Sequence, residues 1–283
     1  MKLIESKAEY IPQEEGLEGI YKQIELAGRT CYKSENKIAE DSAKLFVDRM
    51  IKSNHLAMLE HGTVYLKISI PSKAWNRTLV NKYYINPYSK VDNTFDDLDY
   101  HYFICTNYRV LVENNWLDDL QYLCSPTEFH EKRYTMRFKG DIHLYKDNTR
   151  HRVMSYAIES TRYCNYLKEK FGMSVSFMHP SWLKEEFLEE FNTDCQVLEN
   201  IYFKWINKGL RAEEAAYFLC QGTAADYCVT GFSSDWRHIM DLRLFGKTGT
   251  PHPDMTDLMQ KAQKTMQEAG IWEDIMSKPS KFE

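Results

Sequence analysis

The chain has 283 residues and carries 36 Lys plus Arg against 41 Asp plus Glu, a net charge of −5. That length can bury a substantial core as one large domain or two small ones, and 43% hydrophobic with 27% charged residues is an ordinary soluble balance. The acidity argues against a grip on long nucleic acid, which needs a basic face, and no apolar run approaches the ~18 residues of a membrane span.

Taken in order, residues 17–27 place Leu17, Ile20, Tyr21 and Ile24 at helical spacing, and Gly28 is expected to end that helix. A second helix is predicted over 38–53 with Leu45, Phe46, Met50 and Ile51 inward. Residues 62–70 alternate strictly, with Val64, Leu66, Ile68 and Ile70 on one side, and predict a half-buried strand closed by Pro71. The composition of 100–112 is β-like, 116–123 reads as helical, and 134–138 as a strand. Helices are then expected over 181–207, with Ser181 as N-cap and Gly209 after its end, over 212–220, and over 254–269 with Met255, Leu258, Met259, Ala262 and Met266 inward. No linker, repeat or low-complexity tract divides the chain, and the mixture predicts helices packed on a sheet.

The seven cysteines are odd in number and show no CxxC spacing, which argues against a disulfide framework or structural zinc and suits a reducing cytoplasm. The N-terminus shows no apolar leader segment. His55, Glu60 and His61 fit no zinc signature, so no metal is expected. No dinucleotide glycine motif, P-loop or GxSxG elbow is present, and Cys164 reads as a buried structural thiol.

The densest chemistry lies in RHRVMSYAIESTRY. Arg150-His151-Arg152 is followed after seven residues by Ser160, with Glu159, Thr161 and Arg162 beside it. Guanidinium forks, hydroxyls and turn amides are what a phosphate group needs. A third cluster, Asp235-Trp236-Arg237-His238 with Asp241 and Arg243, puts Arg237 and Arg243 on different faces of a helix. One can therefore meet a ligand while the other pairs with Asp241 four residues along.

The R-H-R-x7-S pattern resembles the signature of the flavin-dependent thymidylate synthases. Arg29-Thr30-Cys31-Tyr32, Leu59-Glu60-His61 before a strand, and the segment from Trp236 to Arg243 are similar to further motifs of that family in the same order. The resemblance implies an α/β (α+β) fold with a central, mostly antiparallel sheet packed by helices. It implies a single domain over 1–283 with an insertion at about 76–133, and a homotetramer whose active sites draw on several subunits. It implies an enzyme that converts dUMP to dTMP with methylenetetrahydrofolate and NADPH as co-substrates and FAD as cofactor, polarising the uracil electrostatically.

By motif position, Arg243 is implied as catalytic. Arg150, Glu159, Ser160, Thr161, Arg162 and Arg243 are implied for dUMP, and His61, Thr63, Arg150, His151, Arg152, Val153, Glu159 and His238 for FAD. Ala216 and Phe232 stand where the family often has an arginine and an asparagine, and a residue of the insertion is one candidate replacement for that arginine. Two other classes compete with this reading. One is a protein that binds a nucleotide or flavin without turnover; the other is an RNA-binding module stacking bases on some of the 19 tyrosines.

Overall fold

The computed structural model describes residues 1–74 and 77–282. In chain order the elements are β1 (Lys2–Ile4), β2 (Lys7–Ile11), α1 (Gly16–Tyr32), α2 (Ser42–Lys52), β3 (Thr63–Pro71), α3 (Thr78–Tyr84), β4 (Lys90–Phe95), β5 (Asp99–Asn107) and α4 (Tyr108–Glu113). There follow β6 (Arg133–Asp141), α5 (Ile142–Asn148), β7 (Ser155–Ile158), β8 (Ser176–Met178), α6 (Leu188–Asn207), α7 (Ala212–Ala215), β9 (Ala224–Phe232), α8 (Ser233–Arg243), α9 (Pro253–Glu268) and α10 (Trp272–Met276).

Among the described residues, the central sheet is four-stranded and antiparallel in the order β2-β6-β9-β7. A three-stranded antiparallel sheet, β3-β5-β4, and a parallel pair, β1-β8, accompany it. The mixed fold of helices on mostly antiparallel sheet matches the expected class. Helices α8, α9 and α10 cover one face of the central sheet, with Met255, Leu258, Met259, Ala262 and Met266 fully buried as their spacing predicts. On the other face, Ala27 of α1 packs against Ala157 and Cys228.

Several expectations need correcting. Gly28 does not end α1, which runs on to Tyr32 and closes at Lys33 in the left-handed region. A Cβ on Gly28 would stand 2.4 Å from the Phe46 ring, so this glycine lets α2 approach α1 instead. Leu45 is 68% exposed, because the face of α2 toward α1 is Ala43, Phe46, Val47 and Met50, an i, i+3, i+4, i+7 stripe. Only a short 3-10 turn, Glu35–Lys37, precedes α2.

The helix expected from Ser181 begins at Leu188. Ser181 does not cap it, since its N–H and hydroxyl both donate to Asp254 Oδ1 at the start of α9 (2.6 and 2.7 Å). The β-like stretch splits into β5 and then α4, capped by the Asn107 side chain. The helical readings of 116–123 and 212–220 contract to the 3-10 turns Leu117–Tyr122 and Ala216–Phe218, the latter following α7.

The alternating strand is confirmed as β3, with Val64, Leu66, Ile68 and Ile70 inward. It lies at the edge of its sheet, where Pro71 removes no ladder donor that matters. The 76–133 stretch supplies β4 and β5, and β5 pairs with β3 along its length. Its Ile104 and Tyr102 join Ile20, Ile24, Phe46 and Leu66 in a second core cluster. Strand β9 was not foreseen. All nine of its residues are buried, so it shows no polar and apolar alternation.

Candidate active site

The Arg150-His151-Arg152 run sits on a turn between α5 and β7. Asp141 caps α5 by accepting from the Leu144 N–H (2.8 Å), and Asn148 at its end donates to the Tyr227 hydroxyl (3.0 Å). The turn folds back through the His151 N–H to Asn148 O (3.0 Å) and the Met154 N–H to His151 O (3.2 Å). The Tyr156 hydroxyl, within 2.6 Å of Asn148 O and 3.1 Å of His151 O, fastens this turn to the sheet. Helix α8 starts directly after β9, with Asp235 accepting from the Phe232 N–H (3.2 Å).

Where the turn meets α8 lies a cavity of about 230 Å³. The turn contributes Arg150, His151, Arg152 and Val153; α8 contributes Asp235, His238 and Arg243; Lys281 closes it from the C-terminal segment. Thus six of the residues singled out in the sequence share one cavity. Three buried polar atoms of these side chains have no partner among the described residues: His151 Nε2, His238 Nδ1 and Arg243 Nε. Buried polar atoms are nearly always satisfied in a finished structure, so three orphans around one cavity mark a place that a ligand completes.

Electrostatics fixes the state of these groups. Burial, with Arg243 and His238 nearby, pushes the His151 imidazole down to about 4, and burial with Lys281 lowers His238. Both rings therefore line the cavity as neutral imidazoles at neutral pH. Arg243 is held by Asp147, through Nη1 to Oδ2 (3.1 Å) and Nη2 to the backbone oxygen (3.2 Å), which leaves Nε free. Arg150 reaches the other oxygen of Asp147 (3.7 Å) but remains largely exposed. Arg237 turns away from the cavity and pairs with Asp241, as the helical spacing predicts. The rings of His151 and His238 meet edge to face at 5.5 Å, and Phe282 stacks on His238 at 5.6 Å.

The second half of the motif lies at the other end of β7. The three steps of about 3.3 Å along this four-residue strand separate its two ends by roughly 10 Å. There Glu159 is buried with both oxygens engaged: Tyr166 Oη donates to Oε1 (3.0 Å), and the Asp226 N–H donates to Oε2 (3.0 Å), which Lys33 also approaches (3.2 Å). Lys33 pairs with Asp226 as well, and Lys139 reaches that carboxylate at 3.3 Å. Burial works against these charges, yet Lys33 holds Asp226 below its ordinary range while Glu159 and Asp226 hold Lys33 above its own.

The next residues turn outward. The Ser160 N–H donates to Cys31 O (3.0 Å), and Ser160 O accepts from the N–H groups of Tyr163 and Cys164. Among the described residues, the hydroxyls of Ser160 and Thr161 and the backbone N–H groups of Thr161 and Arg162 meet no protein acceptor. Arg162 is 69% exposed and touches Glu213.

His61 and Thr63 do not line the 230 Å³ cavity. His61 is fully buried against Thr230 Oγ1 (2.8 Å) with Nε2 unpartnered, and burial beside Arg133 pushes it down to about 3. Thr63 lines a separate cavity of about 330 Å³, its backbone held on both sides by the Gln13 amide. Arg133 was not singled out in the sequence. It is 7% exposed, donates to Glu60 O, Thr63 Oγ1 and Ser155 Oγ, and has no carboxylate in ion-pair reach among the described residues. Asp147, Asp235 and Lys281 were missed too. Of these, Asp235 alone carried a signal, through its place in the third charged cluster.

The description thymidylate synthase complementing protein belongs to a family whose model matches residues 109–269, more than half of the chain. The chain belongs to this family, that of the flavin-dependent thymidylate synthases. Membership supports a dUMP-methylating enzyme. Two solved structures of the UMP/dUMP methylase PolB from Streptomyces cacaoi, one bound with 5-Br dUMP and the other with 5-Br UMP, are similar at 12% identity. The similarity covers 98% of this chain and 97% and 96% of theirs, with TM-scores of 0.48 and 0.47. No curated protein sequence matches the chain at a significant level.

Two positions were expected from the resemblance to depart from the family pattern. Phe232 is buried, with the Arg133 guanidinium 5.4 Å from its ring centre, and offers no polar contact. Ala216 opens the 3-10 turn after α7, next to Tyr217, which is 87% exposed. All seven cysteines are free. Cys164 is fully buried, and burial with Glu159 pushes its thiol up to about 12, far from a nucleophile's range. Among the described residues no group of three or more His, Cys, Asp or Glu is arranged to hold a metal, and no helix is long and apolar enough to cross a membrane.

Proposed function

We propose that this family member is a flavin-dependent thymidylate synthase that makes dTMP from dUMP, with methylenetetrahydrofolate as carbon donor and NADPH as reductant through FAD. The observation that carries the reading is the cavity where the Arg150-His151-Arg152 turn meets α8, with its three unpartnered polar atoms. Its walls fit FAD. Arg150, Arg152 and Lys281 offer positive charge to phosphates, while neutral His151 and His238 offer ring nitrogens to a heteroaromatic group. Val153 adds apolar surface, whereas His61 and Thr63, implied for FAD by motif position, lie outside this cavity, His61 fully buried and Thr63 on the separate 330 Å³ cavity. Bound FAD supplies the hydride chemistry that turns a transferred methylene into a methyl, which no side chain can perform.

The chain's own residues bind and polarise. Arg243, its guanidinium oriented by Asp147, presents Nε and a fixed positive charge to the uracil and favours loss of the N3 proton. Ser160, Thr161 and Arg162 hold the phosphate of dUMP with two hydroxyls, two free amides and a guanidinium. Glu159 acts through the loop that it anchors, since both its oxygens are engaged inside the fold.

By the family resemblance, the site is shared between subunits. One subunit then offers the phosphate loop and another the cavity, in a homotetramer. The whole chain acts as one domain in this reading, with 76–133 as an insertion, in the cytoplasm, without nucleic acid or membrane. An anaerobic assay with FAD, dUMP, methylenetetrahydrofolate and NADPH tests it. Stoichiometric dTMP is expected; dUMP and FAD binding with no dTMP would leave a nucleotide-binding protein of the same fold.

A further inference from the structure

The phosphate loop has a neighbour that no sequence motif marks. Arg162 Nε lies 3.3 Å from Glu213 Oε2, and Arg211 Nη1 lies 2.8 Å from Oε1 of the same carboxylate. Two guanidinium groups from distant parts of the chain thus converge on one small anionic group. Both are about 70% exposed, so a ligand can reach them. The backbone beneath Arg211 is fixed, because Glu214 caps α7 by accepting from the Arg211 N–H (2.8 Å) and from its Nη2 (3.2 Å). Glu214 is thereby occupied with the cap. Among the described residues Glu213 has no such duty and bridges the two arginines.

We infer that Arg211 is a second cation for the phosphate that Arg162 binds, and that Glu213 stands in that phosphate's place until the nucleotide displaces it. The inference rests on the reading of Ser160, Thr161 and Arg162 as the phosphate loop. A phosphate monoester has three terminal oxygens and close to two negative charges, against two oxygens and one charge on a carboxylate. It can accept from both guanidinium groups and still take the free amides of Thr161 and Arg162 and the hydroxyls of Ser160 and Thr161, which the Glu213 carboxylate does not engage. Arg211 precedes α7, whereas Ala216 follows it.

Calorimetric titration of the FAD-loaded protein with dUMP and with deoxyuridine, which lacks the phosphate, tests this. Arg211→Ala is expected to weaken dUMP roughly 10- to 100-fold, the usual worth of a charge-assisted hydrogen bond, and to leave deoxyuridine unchanged. Glu213→Gln is expected to tighten dUMP several-fold, because a neutral amide competes less well. Arg211→Lys keeps the charge and is expected to recover part of the loss. If Arg162→Ala weakens dUMP while Arg211→Ala does not, Arg211 has no such role and the phosphate loop stands. If neither change alters dUMP affinity, the phosphate loop itself is misplaced. Equal losses for dUMP and deoxyuridine on Arg211→Ala would make the residue structural and overturn the inference.

Discussion

The two ends of β7 both gather charged and polar side chains, but in opposite conditions. At its start, His151 and the α8 residues His238 and Arg243 face a cavity with polar atoms unsatisfied. Past its end, Glu159 is closed into a network with Tyr166, Lys33 and the Asp226 N–H. Both regions belong to one sequence motif, and both are rich in charge. Polar groups that already have partners stabilise and position; polar groups left without them in a formed cavity await a ligand. Proximity in sequence does not separate these two roles, but hydrogen-bond accounting does.

The comparison can be broken at its closed end first, where the largest effect is expected. Lys33→Met leaves Glu159 and Asp226 buried together with only Lys139 and Arg137 to offset them, and is expected to cost about 3 kcal/mol of folding stability. Chemical denaturation measures it, and a loss below 0.5 kcal/mol, roughly that of a surface substitution, would show that the network is not structural. At the open end, Arg243→Ala is expected to lower the rate of dTMP formation about 10²- to 10³-fold, as removing a preorganised charge does, with most flavin still bound. Near-wild-type turnover would remove Arg243 from its assigned role.

The pH dependence of stability sharpens the contrast. In the unfolded chain a histidine titrates near ~6.5, whereas burial holds His151 at about 4 and His61 at about 3. Below about pH 6.5 the unfolded state takes up protons that the folded state refuses, so stability falls as the pH drops toward 4. Each histidine contributes up to about 1.4 kcal/mol per pH unit. His151→Gln is expected to lessen that slope between pH 6.5 and 4.5 in urea titrations, and an unchanged slope would mean that His151 titrates normally. The smallest effect on activity is expected at Cys164. Cys164→Ala costs some stability through the lost buried sulfur but leaves the turnover number within about two-fold, since the thiol is held protonated. A hundredfold loss with the fold intact would reopen nucleophilic catalysis.

Much of this was legible in the sequence where one face of an element meets water. Helix α9 and strand β3 announce themselves by period because their outer faces are polar. Strand β9 does not, since helices cover both its faces. Gly28 and Leu45 were misread because the α1–α2 packing decides them, not local pattern. The charged motifs pointed to the cavity. Asp147 at the end of α5 and Lys281 near the C-terminus were invisible, because only the folded chain brings them to Arg243 and His238. Arg211 was equally silent; it gains meaning only through the carboxylate it shares with Arg162.

The central claim is that the open end of β7, and not the closed one, holds the flavin. The most direct measurement is FAD affinity by fluorescence titration for the wild-type protein and for Arg152→Ala, an exposed residue of the cavity wall whose loss leaves the core intact. The account predicts FAD binding at least tenfold weaker with an unchanged unfolding midpoint. Wild-type affinity in Arg152→Ala, and in the double variant with His238→Ala, would contradict it.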